Sequence, residues 1–139
     1  MSVQILIVDD EEEIREMLAR HFIMMDYVVD TAADGRDAIA ILEEKRIDIV
    51  ITDVLMQDVG GIKLLEYIHD HAPMIHCIVI TGFVSLENAL NCMRLGAEAF
   101  IFKPLEDLGE LEDAVKKAEE SMLTWQKKLN QLRGMRPSE

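Results

Sequence analysis

Asp9 and Asp10 follow the apolar run Leu6-Ile7-Val8, and Asp53 follows Ile47-Asp48-Ile49-Val50-Ile51-Thr52. Thr81 closes Ile78-Val79-Ile80, and Lys103-Pro104 follows Phe100-Ile101-Phe102. Each polar group thus stands where a short apolar run ends. In an open parallel sheet such ends form the ligand crevice. Three carboxylates gathered there repel: two unit charges ~4 Å apart cost about 4 kcal/mol at an effective dielectric near 20. Lys103 supplies one positive charge and a divalent cation two, which together neutralise three acids. Carboxylate oxygens without Cys or His suit Mg²⁺, or Mn²⁺ in its place, far better than zinc. Asp53 stands alone at its strand tip and is the candidate nucleophile. A carboxylate that accepts a phosphoryl group becomes an acyl phosphate, with metal, lysine and hydroxyl stabilising the phosphoryl oxygens. Thr81 and Lys103 fill the last two roles. Taken singly, an acid pair before a helix is an ordinary cap and a Lys-Pro an ordinary loop; the conjunction of all five at matching strand ends carries the reading.

The elements that must position these groups alternate along the chain. Short β-branched runs predict strands at 3–8, 28–32, 47–52, 76–81 and 99–102, continuous as buried parallel strands are. Between them helical spacing predicts helices at 12–24, 36–45, 61–71 and 85–95, with a long last one from about 108. Ile14, Met17, Leu18 and His21 make one apolar-faced stripe, and Ile62, Leu65 and Ile68 another. Ser85 and Asp107 read as N-caps, Asp107 with Glu110 as a capping box. The alternation predicts an α/β fold, a doubly wound five-stranded parallel sheet of flavodoxin-like order 2-1-3-4-5. That order makes strands one and three neighbours, so their acids converge.

The last helix outruns the sheet. Leu108, Leu111, Val115, Ala118, Met122, Trp125, Leu129 and Leu132 are spaced alternately three and four residues apart, a heptad stripe. Its first half covers the sheet. Met122, Trp125, Leu129 and Leu132 would face water unless a partner helix covered them, so a homodimer through this helix is expected. The chain accordingly divides into a compact domain over 1–120 and a helical extension, coiled coil or linker, over 121–139.

With 50% hydrophobic residues the chain has material for one core. Its formal charge of -13 repels a phosphate backbone, so direct nucleic-acid binding is disfavoured. No apolar run approaches the ~20 residues that span a bilayer, and the start lacks a cationic leader, which predicts a cytoplasmic protein without membrane association. Cys77 and Cys92 sit in apolar segments and read as packing residues. His69, His71 and His76 read as solvent-facing, without a metal role. Glu11-Glu12-Glu13 mostly complements the dipole of the first helix, and also keeps the crevice negative and favourable to a metal.

Leu6-Ile7-Val8-Asp9-Asp10-Glu11, Ile51-Thr52-Asp53-Val54-Leu55-Met56, Ile80-Thr81-Gly82 and Phe100-Ile101-Phe102-Lys103-Pro104 together resemble the receiver domain of two-component response regulators, from Val3 to about Ala118. The resemblance implies a phosphorylation-controlled switch rather than a metabolic enzyme. Asp53 would take a phosphoryl group from the phosphohistidine of a histidine kinase or phosphotransfer protein. It also implies that Asp10, Asp53 and the Leu55 carbonyl bind Mg²⁺ directly and that Asp9 binds it through water. Thr81 and Phe100 match the switch pair, whose movement remodels the surface of the fourth helix, fifth strand and fifth helix. The Lys103-Pro104 bond is expected to be cis.

One departure stands out. The loop after Asp53 reads Met56-Gln57-Asp58-Val59-Gly60-Gly61, where the family commonly has proline in place of Gln57. Greater loop mobility is expected, with Asp58 as a further acid near the metal. Leu55 and Phe83 flank the expected path of attacking water without a group to hold it, which predicts slow self-dephosphorylation. A haloacid-dehalogenase-like aspartate-nucleophile phosphohydrolase is the enzyme alternative. That family carries a second Asp two residues beyond the nucleophile, where this chain has Leu55. A flavodoxin-like electron carrier needs a phosphate-cradling first loop, and Asp9-Asp10-Glu11 would repel a phosphate. A coiled-coil scaffold with a degenerate receiver is the structural alternative.

Overall fold

A computed structural model describes residues 2–55, 60–82 and 84–135. The elements in chain order are β1 Gln4–Val8, α1 Glu12–Met24, β2 Val28–Ala32, α2 Gly35–Glu44, β3 Ile49–Thr52, α3 Gly61–His71, β4 His76–Thr81, α4 Leu86–Arg94, β5 Ala97–Phe102 and α5 Gly109–Gly134. All strand pairs are parallel and the sheet order is β2-β1-β3-β4-β5. The expected flavodoxin-like, doubly wound fold is therefore present, with α5 as its extended last helix. The Gln57 loop, Phe83 and residues 136–139 lie outside the described residues, and with them the expectations placed on the loop and on Phe83.

The period-two alternation of strand side chains divides the core into two layers. Ile5, Ile7, Ile49, Ile51, Ile78, Ile80 and Ile101 pack on one face against Leu18 and Phe22 of α1 and Leu111, Val115 and Ala118 of α5. Leu6, Val8, Val50, Cys77 and Val79 pack on the other against Ala38 of α2, Leu64, Leu65 and Ile68 of α3, and Cys92 of α4. Both cysteines are buried packing residues, as expected, and burial pushes the Cys77 thiol up to about 12.

Several boundaries differ from the sequence reading for local reasons. β3 begins at Ile49 rather than at 47, and just before it the Asp48 backbone bonds Gln4 O at 2.8 Å and the His76 N–H at 3.0 Å while its side chain ties the strand entrance. Its carboxylate accepts the Gln4 N–H at 2.9 Å and the Arg46 guanidinium at 3.0 Å. Ser85 caps α4 as expected, accepting the Asn88 N–H at 3.1 Å. Asp107 does not cap α5: the cap position is Leu108, and the Asp107 carboxylate accepts the Gly109 N–H two residues on, at 2.8 Å. The capping box with Glu110 is thus not formed. Among the histidines, His69 and His71 are exposed, but His76 is half-buried and paired with Glu98 across β4 and β5, which corrects its solvent-facing assignment.

Polar ties fix α5 to the opposite end of α1. His21 Nε2 lies 2.6 Å from Glu112, and the Tyr27 hydroxyl donates to Glu119 at 3.0 Å. Burial, then the Glu119 bond and charge, push the Tyr27 phenol up to about 12, above its ordinary 10.0. The folded chain holds this proton more tightly than the unfolded one, so the stability it confers is complete below pH 10 and lost as pH rises toward 12. Tyr27→Phe should cost about 1 kcal/mol at pH 8. Urea unfolding midpoints at pH 8 and pH 11 should differ less in the variant than in wild type; an equal difference would rule the hydroxyl out as the cause.

Candidate functional site: an acidic crevice with one lysine

The carboxyl ends of β1, β3, β4 and β5 meet at one edge of the sheet. Asp9 and Asp53 sit just beyond neighbouring strands, in register because Val8 pairs with Thr52. Their backbones stay tied to the sheet, the Asp9 N–H donating to Ala32 O at 3.2 Å and the Asp53 N–H to Val8 O at 3.0 Å. Asp9, Asp53 and Thr81 are buried, while Asp10 is exposed. One carboxylate oxygen from each of Asp9, Asp10 and Asp53 lies within 4.8 Å of the others, the spacing of a shared hard cation. It is the one such group of acids, histidines or cysteines among the described residues.

Lys103 enters this cluster from the end of β5. Its backbone N–H donates to Thr81 O at 2.9 Å, and the Lys103-Pro104 bond is cis, as expected. The ammonium donates to Asp53 Oδ2 at 2.7 Å and to Glu11 Oε2 at 2.6 Å, and stands 3.0 Å from Asp9 Oδ2. Burial alone would lower the Lys103 pKa, but its bonds to Asp53, Glu11 and Asp9 outweigh that and hold it above the ordinary value. Asp9 is raised, chiefly by burial; the Glu11 N–H and Lys103 pull it down and Asp53 pushes it up. The Glu11 N–H donates to Asp9 Oδ1 at 2.8 Å. Asp9 Oδ2, although at ion-pair distance from Lys103, has no aligned hydrogen-bond donor. With two neighbouring acids this oxygen fits the coordination sphere of a hard divalent cation.

The nucleophile candidate is held from two sides. The Leu55 N–H donates to Asp53 Oδ1 at 2.9 Å, while Lys103 holds Oδ2. Gly61, which opens α3, packs directly on this backbone: a Cβ there would fall 2.2 Å from the Asp53 carbonyl oxygen. Glycine at 61 is therefore required by close approach. Thr81 is buried at the end of β4, and Phe100 is half-buried on β5 against the second core layer.

The structure thus brings Asp9, Asp10, Asp53 and Lys103 together and places Thr81 one strand from Lys103. Two further residues bond into the site. Glu11, expected to complement the helix dipole and keep the crevice negative, bonds the Lys103 ammonium directly, and Arg15 donates to the Asp9 carbonyl at 2.8 Å. The adjacency of Glu11 to the acid pair was the available signal for the first. Arg15 carried none beyond its place one turn along α1.

A five-stranded parallel sheet with three acids and a lysine gathered at its carboxyl edge defines an α/β domain of flavodoxin-like order with an acidic site. Comparison with known proteins agrees: the chain matches the response regulator receiver domain over residues 5–116 and belongs to that family, the receiver domains of two-component systems. It is 34% identical over 115 residues to the regulatory protein AtoC of Escherichia coli K12, covering 83% of this chain and 25% of that one. The chain therefore spans about a quarter of that relative's length. A CheY-like receiver domain protein from Methanospirillum hungatei superposes with a TM-score of 0.83 at 31% identity, covering 89% of this chain and 99% of that one. The beryllofluoride-activated NtrC4 receiver domain dimer gives 0.78 at 31% identity, over 85% and 97%. The phosphohydrolase alternative is not favoured by these matches. Among the described residues no helix is long and apolar enough to cross a membrane.

Proposed function

We propose that Asp53 is the phosphoacceptor of a signalling switch, charged from the phosphohistidine of a histidine kinase or phosphotransfer protein. The observation that supports this most directly is the Asp53 carboxylate itself. It is buried at the sheet edge, with one oxygen on the Leu55 N–H and the other 2.7 Å from the Lys103 ammonium. In the transfer a carboxylate oxygen of Asp53 bonds to phosphorus as the P–N bond breaks, and the electron pair returns to the imidazole, which takes up a proton. Lys103 follows the phosphoryl oxygens as charge gathers on them. Asp10, Asp53, the Leu55 carbonyl and, through water, Asp9 would hold Mg²⁺, or Mn²⁺ in its place, which when bound supplies two positive charges beside the phosphoryl oxygens. The Thr81 hydroxyl then turns to the phosphoryl group and the Phe100 ring turns inward, changing the α4–β5–α5 surface that partners read.

Residues 1–120 form the receiver in this reading and 121–139 a helical extension. Along α5 the buried positions end at Ala118, while Trp125, Leu129 and Leu132 are 59%, 52% and 61% exposed. With half-buried Met122 they make the seam of a homodimer. The chain acts as a switch that catalyses only its own phosphorylation and dephosphorylation, in the cytoplasm and without touching nucleic acid.

The test is intact mass after incubation with a small-molecule phosphodonor, with and without Mg²⁺. One phosphoryl adduct per chain that requires Mg²⁺ is expected. No adduct, under conditions that charge another receiver, would leave only the scaffold reading; donor turnover without adduct would restore the phosphohydrolase. The lifetime of the adduct carries a second expectation. Leu55 is apolar, 48% exposed and bonded through its N–H to Asp53, so its side chain offers nothing to hold attacking water. Leu55→Asn should shorten the half-life roughly 10–100-fold, below the about 10²–10⁴ of a full general base. A half-life equal to wild type would defeat the claim that Leu55 slows hydrolysis.

A further inference from the structure

The exposed seam of α5 is one wall of a groove. Met122, Trp125, Gln126 and Leu129 face Met74, His76 and the Arg46–Asp48 pair at the amino-terminal end of the sheet, around a cleft of about 260 Å³. Trp125 also borders Pro73, so the seam is one wall of a concave floor rather than an isolated rod.

Charge along the helix decides what fits there. Residues 121–135 carry Lys127, Lys128 and Arg133 and no acid, while all but one of the chain's 27 acidic residues precede them. In heptad terms Met122 and Leu129 occupy a, Trp125 and Leu132 d, Glu119, Gln126 and Arg133 e, and Lys128 g. A parallel, in-register pair sets Lys128 against Arg133 of the second copy, twice, and aligns two wholly basic segments. Turning the second helix over sets Met122 against Leu132 and Trp125 against Leu129 of the other copy. Lys128 then faces its own counterpart once, but Arg133 meets Glu119 at both ends. Glu119 lines the adjoining cleft with Met122 and Gln126 and already accepts the Tyr27 hydroxyl, which leaves its second oxygen for Arg133.

We propose that the occupant of this groove is a second copy of the chain, bound through an antiparallel α5–α5 contact that places the two receiver bodies at opposite ends. The inference rests on the homodimer reading above and adds its orientation and the groove that receives it.

The experiment is a pulsed electron–electron distance measurement on the full chain with Lys117→Cys carrying a nitroxide, before and after phosphodonor and Mg²⁺. Cys77 and Cys92 are buried, so the introduced thiol takes the label. About ten residues from the crossing point at a 1.5 Å rise, the two labels are offset by about 30 Å along the axis in the antiparallel pair and by nothing in the parallel one. Distances beyond about 30 Å that vanish in Trp125→Glu are expected. A single short distance would overturn the antiparallel orientation but keep the dimer. No distance at any concentration, or a long one that survives Trp125→Glu, would overturn the dimer seam and this inference together.

Discussion

Asp53→Asn is expected to leave the chain folded and unable to carry a phosphoryl group. The amide keeps the oxygen that accepts the Leu55 N–H but has no carboxylate lone pair with which to attack phosphorus. Two opposing effects act on stability. Lys103 loses its 2.7 Å partner but retains Glu11 and Asp9, and the cluster of three acids loses one charge. The net change should stay within about 1 kcal/mol, at the ordinary scale of point substitutions. Loss of the adduct in intact mass, with a thermal midpoint close to wild type, would therefore report chemistry and not unfolding. Asp9 and Asp10 are near enough to be alternative acceptors, and each differs from Asp53 in a way that disfavours it. Asp9 is raised by burial and bound to the Glu11 N–H, and Asp10 is exposed to water. A full adduct on Asp53→Asn, mapped to either of them, would overturn the assignment of the acceptor.

Much of this arrangement was legible in the sequence because strand ends are marked by composition. The run Ile49-Val50-Ile51-Thr52 is buried on both faces, so it is continuous, and the first acid after it must lie at the sheet edge. The same logic placed Asp9, Thr81 and Lys103, and α1 and α3 were delimited to the residue by their spacing. What failed was decided by groups distant in sequence or by backbone geometry. The Asp48 side chain at the entrance of β3 bonds to Gln4, 44 positions away, a contact no local pattern announces. The Asp107 cap failed because the choice between bonding the second or the third N–H onward is made by backbone angles. His76 begins β4 as its strand pattern predicts, but its solvent-facing reading fails because the register of β5 sets Glu98, 22 positions away, beside it. Glu11 was read for its helix dipole, and its second role depends on where a lysine 92 residues later arrives.

That lysine gives the other large expectation: Lys103→Met should cost about 3–5 kcal/mol in EDTA, the scale of removing one partner from a buried ion pair. Its side chain is only 11% exposed, and among the described residues it is the side-chain cation paired with Asp9 and Asp53. Methionine fills similar volume, so the loss is one of charge rather than packing. The deficit should depend on pH with a defined sign. Asp9 is held above its ordinary 3.8 by burial even with Lys103 pulling it down, and without the lysine it must rise further. A carboxyl raised in the folded state favours folding below its unfolded value and loses that contribution as pH climbs through the folded value. The variant's deficit is thus widest near neutrality and narrows as pH falls toward 3.8. Mg²⁺ should narrow it as well, since the acids that held the ammonium are those proposed to hold the metal, so the stabilisation by saturating Mg²⁺ should be larger in Lys103→Met than in wild type. Phosphoryl uptake behaves differently, because a metal beside Asp53 cannot take the place of a donor aimed at the transferred oxygens. An initial rate lower by about 10²–10³ is expected even with Mg²⁺ saturating. Urea unfolding at pH 7 and pH 5, in EDTA and in Mg²⁺, together with adduct formation rates, checks each part. Equal stability of variant and wild type in EDTA would show that the lysine does not neutralise the crevice, and rescue of the rate by Mg²⁺ alone would show that it does not act on the phosphoryl group.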